Sequence, residues 1–341
     1  MIKAVVADWS GIIASLLALL GPLPLNGRIE TMSYVTVRAI PHRYRLTPDR
    51  PGADTLVFIH GWLLSHRYWA PVTDQLQSHH RCLSYDLRGF GQSIPEGAPS
   101  AELPVPSGET TPYSLAAYAR DLNALLQALN LTSVWLVGHS LGGSIALWAA
   151  SLWPERVKGV ICVNAGGGIY LPEEFERFRA AGQQIVRWRS PWLARLPLLD
   201  HAFARLMVAT PLPCQWGRQR LQDLVAAHPD AALGALLDST TEAEVHQLPQ
   251  VVASLRQPAY FIAGGQDRVM EERFVRHLAS FHPLFDQPTG NVSVLDGCGH
   301  MAMVEQPQAL AAELQRCLNP TTTSQKSVGD RGARSQLSVG L

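Results

Sequence analysis

Three side chains far apart in the chain have the chemistry of a nucleophile, a base and an acid. Ser140 stands in Gly138-His139-Ser140-Leu141-Gly142. A serine hydroxyl is a weak nucleophile at neutral pH. It needs a base to take its proton, and the base needs a carboxylate to hold its tautomer and stabilise the cation that forms. Of twelve histidines, His300 lies in Gly297-Cys298-Gly299-His300-Met301-Ala302. Glycines on its N-terminal side suit a loop that folds back over a sheet. Asp267 ends the turn Gly264-Gly265-Gln266-Asp267. Asp238, Asp286 and Asp296 are its rivals; Asp296 is close enough to His300 in sequence to cap its own loop.

The elements that must position these groups are legible. Val134-Trp135-Leu136-Val137 is a continuous apolar run, as in a strand covered on both faces. The segment after Ser140 carries Ile145, Trp148, Ala149 and Leu152 at helical spacing, ending before Pro154. Ser140 is therefore expected on a strand-to-helix turn, with Gly138 and Gly142 making room for a tight backbone. Further strands are read at Tyr34–Arg38, His42–Leu46, Thr55–Ile59, Arg81–Tyr85, Lys158–Val163, Pro258–Ala263 and Asn291–Leu295. Helices alternate with them. One starts at Ser114 as N-cap and buries Leu115, Tyr118, Leu122, Leu125 and Leu129. Another spans Gln308 to Leu318. Strands alternating with helices mean an α/β fold, with a mostly parallel eight-stranded sheet and helices on both faces. Ligands bind such sheets beyond the carboxyl ends of the strands. Ser140, Asp267 and His300 all fall there. So does His60-Gly61-Trp62 after Ile59.

Negative charge that develops on a substrate oxygen needs preorganised amide donors, each worth about 3 kcal/mol. The backbone N–H groups of Leu141 and Trp62 are assigned as this oxyanion hole. The Trp62 side chain is expected to wall the pocket, His60 to brace its loop, and His139, beside the serine, to be a packing or elbow residue.

Composition bounds the rest. The 341 residues are 47% hydrophobic and 16% charged, with formal net charge zero. Nothing in that balance suggests nucleic acid. Cys82, Cys162, Cys214, Cys298 and Cys317 show no C-x-x-C spacing. That argues against a zinc site or disulfide framework and suits a reducing compartment. No cofactor and no metal are expected, and the expected location is cytoplasmic. Gly11–Leu25 is apolar but falls short of the roughly twenty residues of a spanning helix. Residues 1–31 are thus an N-terminal extension, read as sequence upstream of a true start at Met32, as a weak signal or membrane anchor, or as an amphiphilic lead-in. The core is assigned to 32–167 and 251–319. Residues 94–112 form a long loop rich in Pro, Gly, Ser and Glu. Residues 168–250 form a helical cap insertion, and 320–341 a disordered tail.

Together, His-Gly-Trp, Asp86-x-Arg-Gly-x-Gly-x-Ser93, Gly-His-Ser-x-Gly-Gly, Gly-x-Asp and Gly-His-x-x-x-x-Glu-x-Pro resemble the α/β-hydrolase superfamily, in its serine esterase, lipase and haloperoxidase-like branch. The resemblance covers residues 34 to 318. It implies a triad in the order Ser140, Asp267, His300 and a cap between the sixth and seventh strands. It also implies that Asp86–Ser93 is a structural turn. Epoxide hydrolases and haloalkane dehalogenases carry an aspartate where Ser140 stands.

The expected reaction is hydrolysis of a carboxylic ester, with an apolar chain, through an acyl-enzyme. Thioester, amide or C–C cleavage and acyl transfer remain alternatives on the same triad. A non-catalytic ligand-binding protein is the alternative of another class. The insertion holds Trp188, Trp192, Leu193, Leu196, Leu198, Leu199, Phe203, Leu206, Met207 and Trp216. Two readings stand for it: an ordinary helical core, or a lid with an apolar inner face. Interspersed Arg187, Arg189, Arg195, Arg205, Arg218 and Arg220 leave open a peripheral membrane contact through the cap.

Overall fold

The computed structural model describes residues 33–94, 112–166, 172–190, 192–193, 196 and 198–319. The extension at 1–31, the tail at 320–341, most of the 94–112 loop, the first residues of the insertion and Arg195 lie outside them.

The chain opens with a hairpin. Ser33–Val37 (β1) and Ile40–Leu46 (β2) pair antiparallel. The remaining strands are Thr55–Ile59 (β3), Arg81–Tyr85 (β4), Val134–His139 (β5), Val157–Val163 (β6), Ala259–Gly264 (β7) and Val292–Leu295 (β8). They form one eight-stranded sheet in the order β1-β2-β4-β3-β5-β6-β7-β8. Only the hairpin and its junction to β4 are antiparallel; every pairing from β4 to β8 is parallel. β5 lies between β3 and β6, so the strand that delivers Ser140 is central.

Apolar residues divide between two cores by strand alternation. Val57, Ile59, Leu83 and Leu136 join one cluster. Their neighbours Leu56, Phe58, Cys82 and Val137 join the other. Successive side chains on a strand point to opposite faces, so both faces are covered. Leu115–Ala128 (α2), Leu141–Leu152 (α3), Glu242–Ser254 (α8) and Glu272–Ala279 (α9) cover the first face. Ala70–Leu76 (α1), Ala302–Glu305 (α10) and Pro307–Leu318 (α11) cover the second. The Ser114 hydroxyl caps α2 by accepting from the Ala117 N–H at 3.2 Å.

Between β6 and β7 the described chain is helical and contains no strand. Pro172–Trp188 (α4), Leu199–Phe203 (α5), Cys214–Ala226 (α6), Pro229–Ser239 (α7) and α8 occupy it. Among the described residues no helix is long and apolar enough to cross a membrane. All five cysteines are free thiols.

Candidate active site

The parallel strands bring their carboxyl ends to one edge, and the groups read from the sequence gather there. Ser140 follows β5 directly, with φ 51° and ψ −119°. Left-handed backbone is unfavourable for a residue with a Cβ. It is held by the Ser140 N–H donating to the Val163 carbonyl at 3.0 Å and the Gly143 N–H donating to the Ser140 carbonyl at 2.9 Å. The turn needs its glycines for space. A Cβ on Gly138 would lie 2.2 Å from the Gly142 carbonyl oxygen, and one on Gly142 would lie 2.4 Å from the Ile59 carbonyl oxygen. The Ser140 hydroxyl makes no capping hydrogen bond to α3, so it is not consumed by the helix it precedes.

Asp267 and His300 meet. The His300 Nδ1–H donates to Asp267 Oδ2 at 2.7 Å, and both side chains are buried. The other carboxylate oxygen accepts from the N–H groups of Val269 and Met270 at 2.8 and 3.0 Å. Burial pushes the Asp267 carboxyl up. The positive potential and hydrogen bond of His300, with the two amide donors, outweigh it and hold the group below its ordinary value. An ionised Asp267 fixes the proton on Nδ1 and leaves Nε2 as the nitrogen open to receive one. The rival Asp296 has no part in this pair.

Asn164 is a site residue that sequence reading missed. It follows β6 with φ 48°. Its Nδ2 donates to Asp267 Oδ2 at 2.9 Å and to the Gly299 carbonyl at 3.2 Å. It therefore ties the acid to the histidine loop. A polar residue directly after a buried strand was the available signal.

His60 braces its loop, as expected, and His139 does more than pack beside the elbow. The His139 Nε2–H donates to the His300 carbonyl at 2.8 Å. Burial, with the neighbouring His300 next, drops the His139 pKa to about 3. His60 Nδ1–H donates to the Gly61 carbonyl at 2.8 Å, and its Nε2 accepts from the Leu87 N–H at 2.9 Å. Asp86–Ser93 is a structural turn. Asp86 Oδ1 accepts from the His66 N–H and Nδ1–H at 2.7 and 2.8 Å, and Oδ2 from the Gln92 N–H at 2.8 Å. Ser93 Oγ donates to the Asp86 carbonyl at 2.8 Å.

Ser140 opens into a pocket walled by Trp62, Leu141, Phe178, Leu236 and Met270, with hydroxyls from Ser144, Ser239 and Thr240. The Trp62 side chain walls it as expected, and its Nε1–H donates to the Ala232 carbonyl of α7 at 2.7 Å. The Leu141 N–H is at the first position of α3, where helices leave donors without intrahelical acceptors. Among the described residues, neither that group nor the Trp62 N–H has a backbone acceptor.

The lid reading is corrected here. None of the large apolar residues it named lines the pocket. Trp188, Trp192, Leu198 and Leu206 are exposed instead, Trp188 to 77%. The insertion reaches the pocket through α4 and α7. Ala235, Leu236 and Ser239 share one face of α7 at helical spacing, whereas the Trp-rich stretch follows the C-terminal end of α4. Among the described residues no cluster of His, Cys, Asp and Glu could hold a metal ion.

Comparison with known proteins agrees with this architecture. The model of the alpha/beta hydrolase fold family matches residues 54–307. The chain belongs to that family and is an enzyme of the α/β-hydrolase superfamily. A 2-succinyl-6-hydroxy-2,4-cyclohexadiene-1-carboxylate synthase of Salmonella paratyphi B is 29% identical over 274 residues, 80% of this chain and 96% of that protein. A thermophilic esterase from Thermogutta terrifontis superposes with TM-score 0.63 at 20% identity, covering 85% of this chain and 98% of that one. A bromoperoxidase from Bacillus anthracis superposes with TM-score 0.66 at 20% identity, covering 84% and 99%. An enol-lactonase from Burkholderia xenovorans gives 0.61 at 19% identity, covering 84% and 99%. At such identities the structural matches speak for the fold.

Proposed function

We propose that the protein hydrolyses a carboxylic ester with an apolar acyl chain through an acyl-enzyme intermediate. Ser140 Oγ attacks the ester carbonyl while His300 Nε2 takes its proton. Asp267 holds the imidazole and stabilises the imidazolium. The N–H groups of Trp62 and Leu141 bind the oxyanion. His300 returns the proton to the departing alkoxide, which leaves as the alcohol. Water, deprotonated in turn by His300, then releases the acid and regenerates Ser140.

The observation that carries this reading is the buried 2.7 Å Asp267–His300 pair at the sheet edge where Ser140 stands on a left-handed turn. The apolar walls of the pocket support an uncharged acyl group. A fluorophosphonate probe is expected to label Ser140 in the native protein and not in Ser140→Ala. That variant is expected to lose about 10^4-fold or more in ester turnover. p-Nitrophenyl octanoate is expected to be cleaved in preference to the acetate. A preference for acetate overturns the apolar chain, and an unlabelled native protein overturns the mechanism.

The Salmonella relatives favour a second reading, in which the same side chains serve a synthase reaction that yields a carboxylated cyclohexadiene. Carboxylates are ordinarily met by Arg or Lys. The pocket walls are apolar or hydroxylated among the described residues. Tight competitive inhibition of ester cleavage by the product named for those relatives would favour this second reading.

A further inference from the structure

His300 is held from the helical insertion as well as from the core. Its N–H donates to the Met207 carbonyl at 2.9 Å. Its carbonyl accepts from His139, and its ring is tied to Asp267. Two of these anchors belong to the sheet edge; the third belongs to the segment between α5 and α6.

That segment is closed at its ends by the Leu212 N–H donating to the Ala204 carbonyl at 2.9 Å, and its middle is tied from outside. Met207 has φ 62°, which a side-chain-bearing residue rarely adopts. Beyond it, the Ala209 N–H donates to Glu305 Oε2 at 2.8 Å, and the other oxygen of Glu305 accepts from the Gly299 N–H. The contact is so close that a Cβ on Gly299 would lie 2.7 Å from the Ala209 nitrogen and the Val208 Cα. On the other side stands Arg220 of α6, 6% exposed. Its Nη1 donates to the Phe203 carbonyl at 2.8 Å and to the Leu206 carbonyl, and its Nη2 lies 3.3 Å from Met207 Sδ. One planar fork thus fastens the chain on the approach to Met207. A lysine has the charge but not the fixed fan of donors that reaches these acceptors together.

We propose that Arg220 is a positioning residue for His300, acting through Met207. It fixes the left-handed turn that aims the Met207 carbonyl at the His300 N–H, and so sets where the imidazole stands over the sheet edge. The proposal rests on the reading of His300 as the base. Displacement of a catalytic group by about 1 Å costs about 100-fold. Neither Arg220 nor Met207 lines the pocket, so substrate binding is left alone.

The test uses the full chain as Arg220→Met and Arg220→Lys. Arg218→Met is the control, since Arg218 sits on the same helix with its side chain 61% exposed. Fluorophosphonate labelling of Ser140 is expected to slow at least tenfold in both Arg220 variants and to stay at the native rate in the control. With p-nitrophenyl octanoate, kcat is expected to fall with KM unchanged. Labelling of folded Arg220→Lys at the native rate overturns the proposal, as does a loss confined to KM. Should Arg220→Met fail to fold, the Lys variant decides alone. The downfield proton resonance of His300 Nδ1–H gives a readout independent of reaction. It is expected to shift or broaden in the Arg220 variants. An unlabelled native protein would sink the serine-hydrolase reading, while an unchanged resonance would sink the positioning role by itself.

Discussion

The imidazole of His139 donates from Nε2 to the backbone carbonyl of His300 at 2.8 Å, and the two rings lie 4.8 Å apart. The residue before Ser140 thus holds the main chain of the residue expected to deprotonate it. His139→Ala removes the donor from a buried carbonyl and leaves a void. It is expected to cost about 2 kcal/mol of stability. Ester turnover is expected to fall by more than the loss of folded protein explains. Denaturant melts read beside kcat for the same preparation check both.

Stability should fall on the acid side of neutrality. Burial drops His42 and His60 to about 4 and His139 to about 3. In the unfolded chain these groups take up protons near 6.5. Between about pH 6.5 and 4 the unfolded state therefore binds more protons on them, and each favours it by about 1.4 kcal/mol per pH unit. Asp223 acts the other way. Burial first, opposed by hydrogen bonds from Ser65, Tyr68 and Gln219, raises it to about 7. The folded state then keeps a proton that the unfolded state loses, so this contribution fades as pH rises toward 7. Three histidines outweigh one aspartate. The melting temperature is expected to be lower at pH 4.5 than at pH 7, and the slope steeper in Asp223→Asn. A flat profile from thermal melts across that range would contradict the assignment.

Gly138→Ala should be among the most damaging single changes in the core. The added methyl would meet backbone atoms of Gly142 and Gly143. Backbone cannot give as the end of a flexible side chain can. A loss of about 3 kcal/mol is expected. Gly265→Ala meets nothing nearer than 3.4 Å and serves as the comparison. Circular dichroism melts of the two variants, run side by side, measure the difference.

Asn164 is the more informative target among the supporting groups. Asn164→Ala removes a donor from the Asp267 carboxylate and is expected to lower ester turnover about tenfold. Asn164→Asp places a second carboxylate beside the first, which raises the Asp267 pKa. The acid limb of its pH–rate profile is expected to move to higher pH than in the native protein. The full profile of kcat/KM between pH 4 and 8 checks it.

All eight strands were legible in the sequence, the parallel ones as short apolar runs and the β1–β2 hairpin by its alternation. So was the pairing of Asp267 with His300, since strand-end position singled out both. Asn164, Met207 and Arg220 were not legible. Each acts through a hydrogen bond to backbone or to another side chain across a long sequence separation, and local pattern carries no trace of that. The pocket walls misled for a related reason. Bulky residues such as Trp188 and Leu198 left open a core or an apolar lid, yet they are exposed, and the residues of α7 at the pocket are Ala235, Leu236 and Ser239. Periodicity tells which residues share a side of a helix, not which way that side turns.

The indole of Trp62 spans from the loop after β3 to the Ala232 carbonyl on α7. The His228 N–H, donating to the Gly89 carbonyl at 2.8 Å, holds the start of α7, while at the pocket wall floor and roof of the cleft are tied through the indole N–H group. Swinging α7 outward to admit a bulky guest must either snap that link or drag the Trp62 amide along. Entry of large molecules and readiness of that amide are then opposed, and replacing the indole by phenylalanine would uncouple the two.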